Sequence, residues 1–145
     1  MRRISQPPAG DRAPDVGGLR RRGLGFPLRL FDILRGTEHV LVAHLAEADA
    51  SAKIADLAAR TREILSRRGS YLRIVAVAAA DGLPDHPGIA SFDDQEGRLA
   101  AAYGSPEATF LIRPDGYIGW RGRSWREAGL FAYLDLILPP DSTGP

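Results

Sequence analysis

Two apolar segments joined by one amphipathic helix constrain the fold of this 145-residue chain more than any other feature. Residues 39–45 are rich in valine and leucine and predict a strand. Residues 72–80 are almost wholly apolar, which is typical of a central strand covered on both faces. Between them, residues 51–68 carry apolar side chains with the period of a helix. A connection that contains a whole helix favours a parallel pair of strands with a right-handed crossover.

The second half of the chain predicts a hairpin between two helices. Residues 81–91 are rich in Pro and Gly and are predicted to form a loop. Residues 94–103 are predicted to form a short helix that Asp94 caps. Residues 108–121 are predicted to form two antiparallel strands around the turn Arg113–Gly116, in which Pro114 presets φ and the glycine supplies a positive φ.

The ends of this pattern complete the predicted fold. Residues 28–34 form either a strand or a turn of helix. Residues 124–127 have the Ser-x-x-Glu pattern of a capping box, and an apolar helical face continues to Leu138. This order of elements predicts an α/β fold with a mixed central sheet and helices on both faces.

Composition predicts one folded domain with an extension at each end. Residues 1–27 are rich in Pro, Gly and Arg, lack periodicity and are predicted to form an extended arm over the domain. Residues 28–138 are predicted to form the domain, and residues 139–145 a disordered tail. The longest apolar run is too short to cross a bilayer, and no apolar stretch follows Arg2 and Arg3. We therefore expect a cytoplasmic protein that does not bind membranes.

The chain contains no cysteine. Its order of elements nevertheless resembles that of thioredoxin, and we expect a thioredoxin-like fold. Thioredoxins and peroxiredoxins act through a thiolate nucleophile, and thiol–disulfide exchange needs sulfur at the attacking atom. The resemblance therefore implies a shared shape, and the absence of cysteine excludes the thiol chemistry of that fold.

Two pairs of segments carry a more specific resemblance. One pair is residues 9–16 and 30–36, and the other is Tyr103-Gly104 followed by residues 110–121. They resemble the C-terminal thioredoxin-like domain of FAD-dependent aromatic-ring hydroxylases, including phenol hydroxylase and the hydroxylases of aromatic polyketide pathways. The second pair is the more specific one. The resemblance implies an accessory domain that contributes to subunit contacts, while FAD and the aromatic substrate lie in other domains.

No motif for FAD appears in this chain. A dinucleotide site of the Rossmann type needs Gly-x-Gly-x-x-Gly directly after a strand and an acidic residue about twenty positions later. Gly23-Leu24-Gly25 has no predicted strand before it. We expect that the chain alone binds no cofactor, whether it is a free-standing domain or part of a longer enzyme.

Other kinds of site have a simpler structural explanation. An acidic loop with one histidine has no recognised metal-ligand spacing, and we expect no metal there; its residues are Asp81, Asp85, His86, Asp93, Asp94 and Glu96. His39 and His44 have an odd separation on one strand, so they point to opposite faces. The arginines of the N-terminal arm lack interleaved aromatic residues, and the net charge is only +1, so we expect no nucleic-acid partner. We predict no catalytic residue.

The hairpin carries the candidate interface residues, which are Arg113, Tyr117, Trp120 and Arg121. Large aromatic and arginine side chains are enriched at protein interfaces. Simple alternation predicts that Ile118 and Trp120 share one face of the strand, and Trp120 has the alternative role of filling the core. A hairpin at the sheet edge would also offer free backbone groups to a second chain.

These observations give one preferred function and two alternatives. The preferred function is a redox-inactive thioredoxin-like domain with an assembly role, its partner being a second copy in a homodimer or a flavoprotein hydroxylase. The first alternative is a detached part of an FAD-dependent aromatic hydroxylase that is needed for monooxygenase activity. The second is a small-ligand binder that uses the groove between residues 44–51 and 103–108.

Overall fold

The computed structural model describes most of the chain, namely residues 7–21, 26–45, 50–68, 71–78, 86, 88–104 and 108–138. Six strands and four helices are found within these residues. In chain order they are β1 (Arg20–Arg21), α1 (Leu30–Leu34), β2 (His39–Leu45), α2 (Ala50–Arg68), β3 (Leu72–Ala78), β4 (Ile89–Asp93), α3 (Arg98–Tyr103), β5 (Thr109–Ile112), β6 (Ile118–Gly122) and α4 (Ala128–Ile137).

The strands form one mixed sheet with the order β1-β4-β3-β2-β5-β6. The central strands β2, β3 and β4 are parallel, and β2 pairs with β3 along its whole length, from His39 opposite Leu72 to Leu45 opposite Ala78. Strands β5, β6 and β1 are antiparallel to their neighbours. The predicted parallel pair joined by a helix and the predicted antiparallel hairpin are both confirmed.

Alternate side chains of the sheet pack into two separate cores, one on each face. Val40 and Val42 of β2 enter the first core, which α1, α3 and the N-terminal segment cover. Leu41 and Ala43 enter the second core, which α2 and α4 cover. Because both faces of β2 are buried, its sequence is apolar without alternation. Helices therefore lie on both faces of the sheet, as predicted.

Strand β4 corrects the predicted loop over residues 81–91. Residues 89–91 begin a strand that pairs in parallel with β3, from Ile74 opposite Ile89. The segment Ile89–Asp93 contains one β-branched residue, so its own β propensity is weak. Pairing with β3 and burial of Ile89 and Phe92 outweigh that local preference. Residues 81–85 lie outside the described part of the chain.

The predicted helix starts are also corrected. Helix α3 begins at Arg98, after Gly97 with φ +68°, although Asp94 still accepts hydrogen bonds from the amides of its first turn. Helix α4 begins at Ala128 and not at Trp125. Ser124 and Glu127 do accept amide hydrogen bonds, but from Arg126 and Arg123 in the preceding turn.

The N-terminal segment contacts both edges of the sheet. Near one edge, Gly10 donates its amide to the carbonyl of Ile118, and Ile118 donates its amide to Asp11, so this segment pairs with β6. At the other edge, β1 pairs with β4. Between these contacts Leu19 is fully buried in the first core, which contributes about 2 kcal/mol. The division into arm, domain and tail remains a prediction.

Candidate functional site

A β-bulge determines where the hairpin side chains point. Ile112 is opposite Ile118, whereas Leu111 is opposite Trp120, so Gly119 is an extra residue in β6. An extra residue shifts the alternation of side chains by one. Ile118 therefore lies in the first core and Trp120 packs against the second. The prediction that these two side chains share a face was wrong, because simple alternation does not hold across a bulge.

The bulge leaves Trp120 and Arg121 in structural positions. Trp120 is half-buried against the second core, beside Gly122 and Gly129. Arg121 lies on the opposite face, 4.9 Å from the centre of the Phe110 ring. Its guanidinium donates to the carbonyl oxygens of Pro7 at 2.8 Å and Tyr103 at 3.0 Å. Burial lowers the pKa of Arg121 from its ordinary value. Arg121 thus joins the N-terminal segment to α3.

The other two predicted interface residues lie together at the surface. Tyr117 is 38% exposed, and the Arg113 guanidinium lies 6.0 Å from the centre of its ring. Arg12 lies 5.9 Å from the same ring and 5.8 Å from the ring of Phe31. We call Arg12, Phe31, Arg113 and Tyr117 the arginine–aromatic patch. Its side chains line and adjoin a shallow cleft of about 350 Å³ that also includes Leu34 and Gly116.

Asp15 fixes the geometry of this patch. One oxygen of its carboxylate accepts the amide of Phe31 at 2.9 Å, and the other accepts Nε of Arg29 at 2.8 Å. Burial pulls the pKa of Asp15 upward, but the hydrogen bonds and the charge of Arg29 outweigh it and leave the pKa below its ordinary value. The ionised carboxylate therefore holds α1 against the N-terminal segment and brings Phe31 beside Arg12.

Sequence reasoning did not assign Arg12 and Phe31 to a site. Both lie in the segments that carry the family resemblance, but 19 residues separate them along the chain and more than a hundred separate Arg12 from Tyr117. The bridge between Arg12 and Tyr117, and the bond from the Phe31 amide to Asp15, bring these segments together in the fold. The available signal was an arginine or an aromatic residue in each of the segments 9–16, 30–36 and 113–117.

Buried polar side chains lie at the carboxyl end of the central strands. His44 is 2% exposed, and its Nδ1 has no hydrogen-bond partner among the described residues; the same holds for Oδ1 of Asp94 and Oγ1 of Thr109. Burial lowers the pKa of His44, and the charge of Asp94 opposes this. Strand alternation places His44 with the first core and Thr109 with the second. These side chains do not assemble a nucleophile with its base.

A second cleft lies beside the carboxyl end of β2, on the face of the sheet opposite to the arginine–aromatic patch. It encloses about 170 Å³ and is lined by Leu45, Lys53, Arg123, Ser124, Trp125 and Arg126. We call it the Trp125 cleft. Asp56 fixes its aromatic wall, because the indole Nε1 of Trp125 donates to its carboxylate at 2.8 Å. Nε of Arg126 donates to the same oxygen at 2.7 Å. The groove predicted between residues 44–51 and 103–108 lies partly outside the described residues.

The described residues offer no group of three or more side chains that could hold a metal ion. Within the predicted acidic cluster, Asp94 instead binds the amides of Leu99 and Ala100 at 3.1 and 3.3 Å. Asp81 and Asp85 of that cluster lie outside the described part of the chain.

The strand-to-helix connection does not suit FAD. In the Rossmann motif, glycines between the first strand and its helix let the backbone approach the pyrophosphate. Here the sequence between β2 and α2 is Ala46-Glu47-Ala48-Asp49, which has no glycine. This sequence does not fit the pyrophosphate site of the Rossmann motif.

The sequence matches the family described as aromatic-ring hydroxylase, C-terminal, over residues 6–139. The chain belongs to this family. The predicted resemblance is therefore confirmed. No curated protein is significantly similar to the sequence.

Solved structures show the fold of this aromatic-ring hydroxylase C-terminal domain. A thiol peroxidase from Chromobacterium violaceum superposes with a TM-score of 0.69 at 16% identity, over 90% of this chain and 87% of that one. The flavin-dependent monooxygenase PieE, solved with FAD and substrate, gives 0.61 at 20% identity over 91% of this chain. Aklavinone-11 hydroxylase, solved with FAD and aklavinone, gives 0.54 at 25% identity over 88%. The predicted thioredoxin-like fold is confirmed.

This chain spans only 20% of the length of PieE and of aklavinone-11 hydroxylase. Among the residues described, no helix combines the length and the apolar character needed to cross a membrane.

Proposed function

We propose that this chain is a redox-inactive assembly domain that associates with an FAD-dependent aromatic-ring monooxygenase in the cytoplasm. Membership of the aromatic-ring hydroxylase C-terminal family supports the link to these enzymes. The 145-residue sequence has no cysteine, which supports the redox-inactive part, because disulfide and peroxide chemistry in this fold needs a thiolate. The chain binds no FAD of its own and depends on its partner for that cofactor.

The arginine–aromatic patch is the observation that carries this proposal. Tyrosine and arginine contribute most of the energy at many interfaces. Arg12 forms no ion pair with any described residue, and its guanidinium lies between two aromatic rings. Such a cation keeps its charge available to a partner while its position is held. We therefore propose that the partner presents carboxylate side chains to this patch.

A flavoprotein fits this surface better than a second copy does. A two-fold homodimer through the patch would bring two Arg12 guanidinium groups close together, since both copies present the same surface. Like charges that face each other across an interface oppose association. The homodimer remains the alternative partner and is an outcome of the same experiment.

The length comparison favours one alternative function. The chain matches one fifth of the length of two monooxygenases. In this alternative it is a detached part of such an enzyme, and a flavoprotein without this domain requires it for hydroxylation.

Light scattering after size exclusion tests the association. The wild-type chain is run alone and mixed with a flavoprotein hydroxylase encoded beside it. We expect a mixed complex that Tyr117→Ser and Arg12→Gln each weaken at least tenfold. The matched control is Tyr71→Ser, because Tyr71 is 58% exposed and lies outside the patch. A wild-type chain that stays monomeric at high concentration, alone and in the mixture, overturns the proposal.

Two further measurements separate the alternatives. Hydroxylation by the flavoprotein that rises on adding the wild-type chain, but not Tyr117→Ser, supports the detached-part function. Unchanged turnover in a stable complex supports assembly alone. Disulfide or peroxide turnover by the purified chain, or bound flavin in its absorption spectrum, contradicts the redox-inactive proposal.

A further inference from the structure

The Trp125 cleft combines features that point to a ligand independent of the proposed assembly role. It lies on the opposite face of the sheet from the arginine–aromatic patch, beside the carboxyl end of β2. Ligands of open α/β sheets bind outside the carboxyl ends of the parallel strands. The position alone defines no ligand, but the chemistry of the lining residues does.

The lining is strongly cationic. Three of its six residues are basic, namely Lys53, Arg123 and Arg126. Arg126 is bonded to Asp56, whose pKa that bond lowers most, so this pair stays ionised and neutral overall. Glu127 binds the backbone amide of Arg123 through its carboxylate. The guanidinium of Arg123 is exposed and has no carboxylate partner among the described residues, so the cleft favours an anion.

The cleft also has an apolar and an aromatic lining residue, Leu45 and Trp125. Both are buried, and Asp56 holds the indole of Trp125. The part of the indole that lines the cleft is therefore in a fixed position, and a flat group that packs on it costs no further side-chain freedom. The volume is about 170 Å³. An engineered cavity of about 150 Å³ in another protein holds benzene, so this cleft has room for one ring.

We infer that the Trp125 cleft binds a small aromatic carboxylate, with its ring against Leu45 and Trp125 and its carboxylate at Arg123. A guanidinium binds a carboxylate in bidentate geometry. Ser124, another lining residue, carries a hydroxyl. No covalent step is involved, and the site is a binding site.

Benzoate is the probe that tests the inference on the whole chain. The chain has two tryptophans, so the indole N–H signal of Trp125 reports on the cleft in a proton–nitrogen spectrum and that of Trp120 is an internal reference. We expect benzoate to shift the Trp125 signal in a saturable way, with a Kd on the order of 1 mM for a ligand of about nine heavy atoms. Acetate lacks the ring and benzamide lacks the charge, so each is expected to bind at least tenfold more weakly.

Two arginine variants test whether the guanidinium of Arg123 binds the carboxylate of benzoate. Arg123→Gln should weaken benzoate at least tenfold, and Arg62→Gln should leave it unchanged. Arg62 is an exposed arginine of α2, nine residues from Lys53 and so on the opposite side of that helix. Because Arg123 is exposed, both variants are expected to fold, and equal melting temperatures check this.

The outcomes decide the inference. Saturable benzoate binding that Arg123→Gln alone weakens supports it. The inference is overturned if benzoate leaves the Trp125 signal unmoved, if benzamide or acetate binds as well as benzoate, or if both arginine variants weaken binding equally. Loss of the flavoprotein complex in Tyr117→Ser has no bearing on this test, so failure of one proposal is distinct from failure of the other.

Discussion

Gly119 gives the sharpest test of the described fold, because it is the extra residue of the bulge and lies beneath α4. A Cβ built on Gly119 would lie 2.5 Å from the hydroxyl oxygen of Tyr133, 3.2 Å from Cζ of that ring and 3.3 Å from Cγ of Arg113. Cβ atoms essentially never approach a heavy atom within 3.0 Å. In Gly119→Ala the Tyr133 ring must therefore move.

The expected magnitude follows from two opposing effects. Overpacking costs about 1–3 kcal/mol. Replacing glycine by alanine lowers the entropy of the unfolded chain and stabilises the fold by about 0.4–1 kcal/mol where the backbone accepts it. We expect Gly119→Ala to lower the free energy of unfolding by about 1 kcal/mol. In Tyr133→Phe the obstructing oxygen is gone and only the contacts at 3.2 and 3.3 Å remain, so the alanine should then cost clearly less.

Urea unfolding followed by circular dichroism measures this double-mutant cycle. A loss of 1 kcal/mol shifts the midpoint by roughly 0.3–1 M urea. Gly129→Ala is the matched control, because its Cβ meets only Nε1 of Trp120 at an ordinary 3.5 Å and alanine favours the helix. We expect that control to stabilise the protein. A Gly119→Ala variant as stable as wild type, or one that Tyr133→Phe fails to rescue, would refute the described packing of α4 on the bulge.

Three further predictions concern buried or bonded ionisable groups. Asp94→Ala removes two bonds to the first turn of α3 and should cost about 1–2 kcal/mol in urea unfolding, whereas exposed Glu96→Ala should cost little. The pKa of His44 is lowered in the fold, so stability should fall as pH drops below about 6.5; urea midpoints from about pH 7 to pH 5 should show this slope, and His44→Leu should flatten it. The pKa of Asp15 is also lowered, so its contribution is present above about pH 3.8 and lost below; Asp15→Asn should lose stability at neutral pH and show a shallower acid transition.

Local patterns were sufficient for the central elements. Strand β2 and helix α2 were predicted almost to the residue, because continuous apolar sequence and a helical period specify them directly. Strand β4 was not predicted, because its pairing with β3 is a tertiary effect on a weakly β-forming segment.

The candidate site was predictable only in part. Arg113 and Tyr117 were selected as interface candidates by residue type alone. In the structure Arg12 and Arg113 both lie beside the Tyr117 ring. Trp120 and Ile118 lie on opposite faces of the sheet because of a bulge, and a single glycine at position 119 does not predict a bulge. The Trp125 cleft joins residues of β2, α2 and the segment before α4, and no local pattern in the sequence reports that juxtaposition.

The pairing of residues 10–13 with residues 116–118 has a consequence for biosynthesis. During translation the earlier segment leaves the ribosome long before its hairpin partner exists, and domains gain their long-range contacts only as later residues emerge. Leu19 and Val16, which are buried in the finished protein, lack throughout that interval the core residues that β5 and β6 supply. Contacts of such high sequence separation also slow folding. This domain is therefore expected to close only after residues 116–118 have left the ribosome, and chaperones that hold nascent chains would meet its amino-terminal residues first.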